Sequence, residues 1–193
     1  MNASLERAQA LLQQDRYELA ISEIQSVLAS EPENAVAYAL LSLCLCNFND
    51  HTEAERAAKT AISLDPEYAG GFYALAHLLY AQDRYREAEK ALKEALRLNP
   101  HHPSYWVLLA WIYLDCDRNQ SALDAAQQGL AVDPHDSECL TLRALALAQL
   151  NQLGEAQAAV DTALMQDPEN SLCPKYRTKT VTPAGTPLLS GQD

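Results

Sequence analysis

Apolar residues fall on one helical face again and again along the chain, and polar breaks separate the stretches at regular places. Trp106, Leu109, Ala110 and Tyr113 stand at i, i+3, i+4 and i+7, one face of an α-helix. A polar break follows at Asp117-Arg118-Asn119, and then Ala122, Ala126, Gly129 and Leu130 mark a second helix. Similar breaks occur at Asp15-Arg16, Asn49-Asp50, Asp83-Arg84 and Asn151-Gln152. Asp and Asn there can bond nearby backbone and end or cap helices.

A second punctuation mark sets the ruler. Glu31-Pro32, Asp65-Pro66, Asn99-Pro100, Asp133-Pro134 and Asp167-Pro168 recur at a spacing of 34 residues. Proline lacks the amide donor and clashes with the preceding turn, so each of these pairs stops a helix. The predicted units are 1–34, 35–68, 69–102, 103–136 and 137–170, each helix, turn, helix, turn. First helices are expected near 3–14, 36–48, 70–82, 104–116 and 138–150. Second helices are expected near 18–30, 52–64, 86–98, 120–132 and 154–166.

In this register small residues recur at two sites. The eighth position is Ala8, Ser42, Ala76, Ala110 and Ala144; the twentieth is Ala20, Ala54, Ala88, Ala122 and Ala156. Fixed small residues predict helices crossing too closely for larger side chains. Leu28, Ile62, Leu96, Leu130 and Leu164 are expected as a repeated core anchor.

These residues resemble the tetratricopeptide repeat family, whose 34-residue unit carries a W-x-x-L-G-x-x-Y…A…P pattern. Trp106, Leu109, Ala110, Tyr113, Ala122 and Pro134 follow it most closely, with alanine in place of the family's glycine. Unit three follows with Phe72, Leu75, Ala76, Leu79, Ala88, Ala95 and Pro100, and unit two with Tyr38, Leu41, Ser42, Leu45, Ala54, Ala61 and Pro66. Unit five carries Arg143 where Leu is usual, and unit one carries Ser4 and Arg7 at its first anchors. The resemblance covers residues 1–170. It implies an all-α fold, a right-handed α-solenoid of five helix-turn-helix repeats. It also implies a concave groove lined by the first helices, at the second, fifth, ninth, twelfth and thirteenth positions.

The middle of that groove is expected to collect Leu43, Tyr73, His77, Tyr80, Val107, Trp111 and Leu114, with Asn47 and Asp115 as polar neighbours. Tyrosine and tryptophan offer large contact area at low entropy cost. Gly70 is read as a place where a ligand backbone approaches closely. The expected role is a non-catalytic protein-interaction scaffold that holds a peptide or helix of a partner protein. The family's chaperone-tail binders grip a terminal carboxylate with lysine, arginine and asparagine. The corresponding places here, among them Leu5, Gln9, Leu43, Tyr73 and His77, supply no cation.

The remaining composition narrows the reading. The formal net charge is −12, which disfavours binding to nucleic acid or to anionic lipid. Met1 to Ala10 carries Glu6 and Arg7 where a signal peptide would be apolar, and no run reaches the roughly 20 apolar residues of a membrane span. The five cysteines are odd in number and contain no C-x-x-C. They are expected as buried small hydrophobes in a reducing, cytoplasmic setting. No metal-ligand spacing, phosphate loop or nucleophile motif is present, so no cofactor, metal or catalytic residue is expected. His101-His102 is read as a surface turn, and Glu53, Glu55, Glu87, Glu89 and Glu94 as a solvated face. Residues 171–193, rich in Thr, Pro and Gly, are expected as a disordered tail. A solvating last helix is missing from the pattern, so the outer side of unit five is expected to be partly bare. The alternative role is a self-associating structural scaffold, or the regulatory part of a larger multi-domain protein, using that end.

Overall fold

The computed structural model describes residues 3–48 and 50–166. The expected tail, and the last proline pair at Asp167-Pro168, lie outside them. Ten α-helices and no strand occur among the described residues. First helices are α1 (Ala3–Gln13), α3 (Ala35–Cys46), α5 (Ala69–Ala81), α7 (Pro103–Asp115) and α9 (Ser137–Gln149). Second helices are α2 (Tyr17–Ser30), α4 (His51–Leu64), α6 (Tyr85–Leu98), α8 (Asn119–Val132) and α10 (Leu153–Gln166). Every bound lies within two residues of its sequence expectation. The chain divides into two compact units, 1–108 and 109–193, the division falling inside α7.

In the first unit, α3 packs on α1, α2, α4 and α5, and α5 packs on α3, α4 and α6. Each of the second helices α2 and α4 rests against its own first helix and the next one. This explains the composition of α3, which carries no charged residue, since four helices surround it. By contrast α6 buries Ala88, Ala91, Leu92, Ala95 and Leu96 along one stripe and turns its lysines, arginines and glutamates outward. Leu5, Ala8, Ala20, Ile24 and Cys44 share one apolar cluster; Ala39, Ala58, Ala61 and Ala74 form a second. In the second unit α9 packs on α8 and α10, and Leu142, Ala144, Ala146 and Leu147 are nearly inaccessible.

The small-residue positions are where helices meet. Ala8, Ser42, Ala76, Ala110 and Ala144 are each 0% exposed, as are Ala20, Ala54, Ala88 and Ala122, and Ala156 is at 2%. A larger side chain at any of them would force the helices apart.

The polar breaks end helices, as expected, mostly through backbone conformation and not through a side-chain cap. Asp15, Asp83, Asp117 and Asn151 have φ of 57°, 59°, 56° and 61°, a left-handed conformation that Asp and Asn tolerate better than other non-glycine residues. Two backbone bonds close each turn. Asp83 N–H donates to the Tyr80 carbonyl at 3.0 Å and Arg84 N–H to the Leu79 carbonyl at 2.9 Å; Asp117 and Arg118 repeat the pattern onto Leu114 and Tyr113 at 3.1 and 2.8 Å. This pair of bonds is the Schellman ending, with Asp or Asn in the usual glycine place. The hydroxyl of Tyr85 donates to Asp83 at 2.7 Å, holding that turn from outside. Among the breaks, Asp50 does cap, accepting from the Glu53 amide at 3.3 Å.

The acid–proline turns have their own mechanism. Asp65, Asn99 and Asp133 are extended, as a residue before proline should be. Their side-chain oxygens accept from the amides of Glu67, His101 and His135 at 3.0, 3.1 and 3.0 Å. That short bond across the proline explains why Asp or Asn precedes it in three consecutive units.

The solvated carboxylates are paired along their helices: Glu55 with Lys59 at 2.6 Å, Glu89 with Lys93 at 2.8 Å, Glu94 with Arg97 at 2.9 Å, Glu87 with Arg84 at 2.7 Å, and Glu53 with Arg56. Two expectations need correction. Cys116 is exposed, unlike the buried Cys44, Cys46 and Cys139, because it sits at the end of α7 where the chain turns out. Leu164 is 42% exposed although Leu28, Ile62 and Leu130 at the same register are half-buried and Leu96 is at 8%. Leu28, Ile62 and Leu130 lie on helices that pack on a following first helix, and the described residues end two positions after Leu164.

Candidate functional site

Several side chains of α3 and α5 are half-buried, and one stripe of them on α5 is aromatic. On α5, Tyr73, His77 and Tyr80 are half-buried at i, i+4 and i+7, so they share one face. Leu43 of α3 is half-buried and packs, with Tyr38, Tyr68 and Leu75, on the Ala39–Ala74 cluster. Neither α3 nor α5 contains an Asp, Glu, Lys or Arg. The face is therefore apolar and aromatic, with no charge of its own.

Aromatic rings build its N-terminal end. Tyr73 stacks on Tyr105 with centroids 4.9 Å apart and planes at 28°, and Tyr105 stacks on His102 at 4.5 Å and 10°. Tyr73 also meets His77 at 6.2 Å. Tyr105 itself is buried. Burial, then the neighbouring Tyr68 and Tyr73, push its hydroxyl well above the usual tyrosine range. Burial also lowers the pKa of His77 and of His102, so both rings are neutral at physiological pH.

Tyr68, Tyr105 and His102 were missed by periodicity because two of them lie in turns. The signal was present at the last position of each unit. That position caps the next first helix in two units: Asn34 accepts from the Ala37 amide at 3.0 Å and Asp136 from the Cys139 amide at 2.7 Å. In units two and three it is Tyr68 and His102 instead. Tyr68 makes no side-chain cap. Its ring lies over Gly70, where an added Cβ would come within 2.4 Å of the ring. The space above Gly70, read from sequence as room for a ligand, is thus filled by Tyr68.

The other expected groove residues are placed less favourably. Val107, in the first unit, and Leu114, in the second, are each 7% exposed and offer little surface. Trp111, in the second unit, is half-buried. Trp106 is half-buried too, and its indole N–H donates to the Pro100 carbonyl at 2.9 Å.

Little here supports bond-making chemistry. Burial pushes the Cys44 and Cys46 thiols up to about 11, which keeps them protonated. Among the described residues no group of three His, Cys, Asp or Glu is placed to hold a metal ion, and no helix is long and apolar enough to cross a membrane.

Tetratricopeptide repeat models match residues 5–69, 47–112 and 79–146. No curated protein matches the sequence. Among solved structures, a thermophilic tetratricopeptide repeat protein of Thermus thermophilus is 23% identical, with TM-score 0.79 over 91% of this chain and 96% of that one. PilF of Pseudomonas aeruginosa is 21% identical, with TM-score 0.74 over 87% and 77%. YrrB, described as a tetratricopeptide repeat protein with an unusual peptide-binding site, is 21% identical, with TM-score 0.62 over 76% of each chain. At these identities the likeness shows the fold, an all-α solenoid of helix-turn-helix repeats. With family models covering most of its length, this chain belongs to the tetratricopeptide repeat family.

Proposed function

We propose that this protein is a non-catalytic interaction scaffold that holds a peptide or helix of a partner protein on its first helices. Proteins of this family are generally protein-interaction scaffolds, and YrrB carries a peptide-binding site in its description. The observation that carries the reading is the uncharged, half-exposed face of Leu43, Tyr73, His77 and Tyr80 on two helices that carry no acid or base. A surface of this kind gains by burying apolar area against a partner, and its aromatic rings supply the contact. Trp111 is a separate candidate contact in the second unit. Cys44, Cys46 and Cys139 are buried free thiols, in keeping with a reducing, cytoplasmic setting.

Capture from a native lysate, with wild type set beside Tyr73→Ala and Trp111→Ala, tests the reading. Each variant should stay folded, with a loss of stability under about 2 kcal/mol, and lose the partner by tenfold or more, a change above about 1.4 kcal/mol. Unaltered capture by both variants would refute the groove.

A second reading has its own observation. On α10, Leu153 is 61%, Leu164 42% and Met165 82% exposed. Self-association through this helix would cover them. Light scattering over a concentration series decides it: a monomer at high micromolar protein removes this reading, while a dimer abolished by Leu164→Glu supports it.

A further inference from the structure

We propose that the occupant of the first-helix face is an amphipathic basic segment, whose lysine or arginine is held at the N-terminal edge of α3 and α5. This rests on the scaffold reading above and names the chemistry of the partner.

Two independent features meet at that edge. The first is charge. The turns leading into α3, α5 and α7 are Glu31-Pro32-Glu33-Asn34, Asp65-Pro66-Glu67-Tyr68 and Asn99-Pro100-His101-His102. They carry four carboxylates and no lysine or arginine. The opposite turns, between first and second helices, mix both signs with Asp15, Arg16, Asp50, Asp83 and Arg84. Glu33 and Glu67 are exposed, one unit apart, each two positions before the helix that follows, and a shallow hollow opens beside Glu31, Pro32, Glu33 and Asn34.

The second feature is aromatic. Tyr68 and His102 occupy the position that Asn34 and Asp136 fill in other units, and Tyr68 makes no side-chain cap. The half-exposed Tyr68 and Tyr73 rings and the exposed His102 ring surround the buried Tyr105. A cation over tyrosine faces is attracted by the ring quadrupole.

The dimensions agree. Tyr73 lies four residues into α5, about 6 Å along the axis from its start. His77 and Tyr80 lie one and two turns further. A helix laying leucines over His77 and Tyr80 therefore brings a basic side chain, one turn on, to Tyr73, on the side of α5 from which Glu67 leads in. A partner with acids at that place meets carboxylates and no cation, and is rejected.

Fluorescence anisotropy with the full chain tests this, using two labelled 14-residue amphipathic peptides. Both carry leucine on one face; one carries arginine on the other and one carries glutamate. The arginine peptide should bind at least tenfold more tightly and weaken as salt rises. Glu33→Gln with Glu67→Gln should weaken it fivefold or more, and Tyr73→Ala tenfold. The control pair Glu18→Gln with Glu155→Gln removes the same charge from second helices and should leave it unchanged. Equal binding of both peptides, or an equal loss in the control pair, overturns the basic-partner proposal. So does failure of both peptides to bind, and if Tyr73→Ala still loses the lysate partner the groove reading survives. Peptide binding untouched by Tyr73→Ala sinks the groove reading as well.

Discussion

The ring of Tyr73 lies 4.9 Å from the ring of Tyr105, nearly parallel, so that a half-exposed side chain on α5 rests on a buried one from α7. The two tyrosines therefore divide their labour. Tyr105→Ala empties a core site and should cost about 3 kcal/mol or more, as aromatic truncations do. Tyr73→Ala should cost less than about 2 kcal/mol and act mainly on binding. Urea denaturation of both variants and the double variant should give a coupling of about 0.5–1.5 kcal/mol for the stack.

Ser42 is the exception in a column of alanines. It is 0% exposed, and its hydroxyl has no hydrogen-bond partner among the described residues. Ser42→Ala removes an unsatisfied group where Ala8, Ala76, Ala110 and Ala144 already fit. A gain on the order of 1 kcal/mol is expected, seen as a higher melting temperature. A loss of stability would show that the hydroxyl is satisfied after all.

Asp117 holds φ of 56° in a Schellman turn. Glycine accepts that conformation and a β-branched residue does not. Asp117→Gly should be close to neutral, whereas Asp117→Val should destabilise by about 1–2 kcal/mol. Equal denaturation midpoints for the two variants would contradict the turn's role.

Burial lowers the pKa of His77 below its usual 6.5. The folded chain then binds fewer protons at this site than the unfolded chain. Its contribution to stability is complete above pH 6.5 and is lost as pH falls from 6.5 through the lowered value. His102, also lowered by burial, adds in the same direction. Urea midpoints should thus decline from pH 7.5 to 5.5, and His77→Leu should flatten part of that decline. An unchanged slope in the variant would assign it to other groups.

The helix pattern was legible because two chemical marks repeat with the fold. Proline cannot continue a helix, and Asp or Asn before it bonds across the turn, as Asp65, Asn99 and Asp133 do. The alanine columns were legible for a related reason: Ala76 and Ala88 are small because helices touch there, and size is written in the residue itself. Of the expected groove residues, Tyr73, His77 and Tyr80 were legible as sharing one helical face.

Spacing along the chain thus determined the number of helices, their ends, the close contacts and the family. What tertiary structure alone decided is which aromatic rings stay at the surface. Val107 and Tyr105 stand two residues apart on α7 and both are buried, while Tyr68, in a turn, covers Gly70 and reaches the edge of the face. Periodicity ranks the faces of one helix, but exposure depends on what neighbouring elements place against them. For Tyr105 the deciding neighbour is Tyr73, in another unit of the repeat and at a sequence separation that no local pattern encodes.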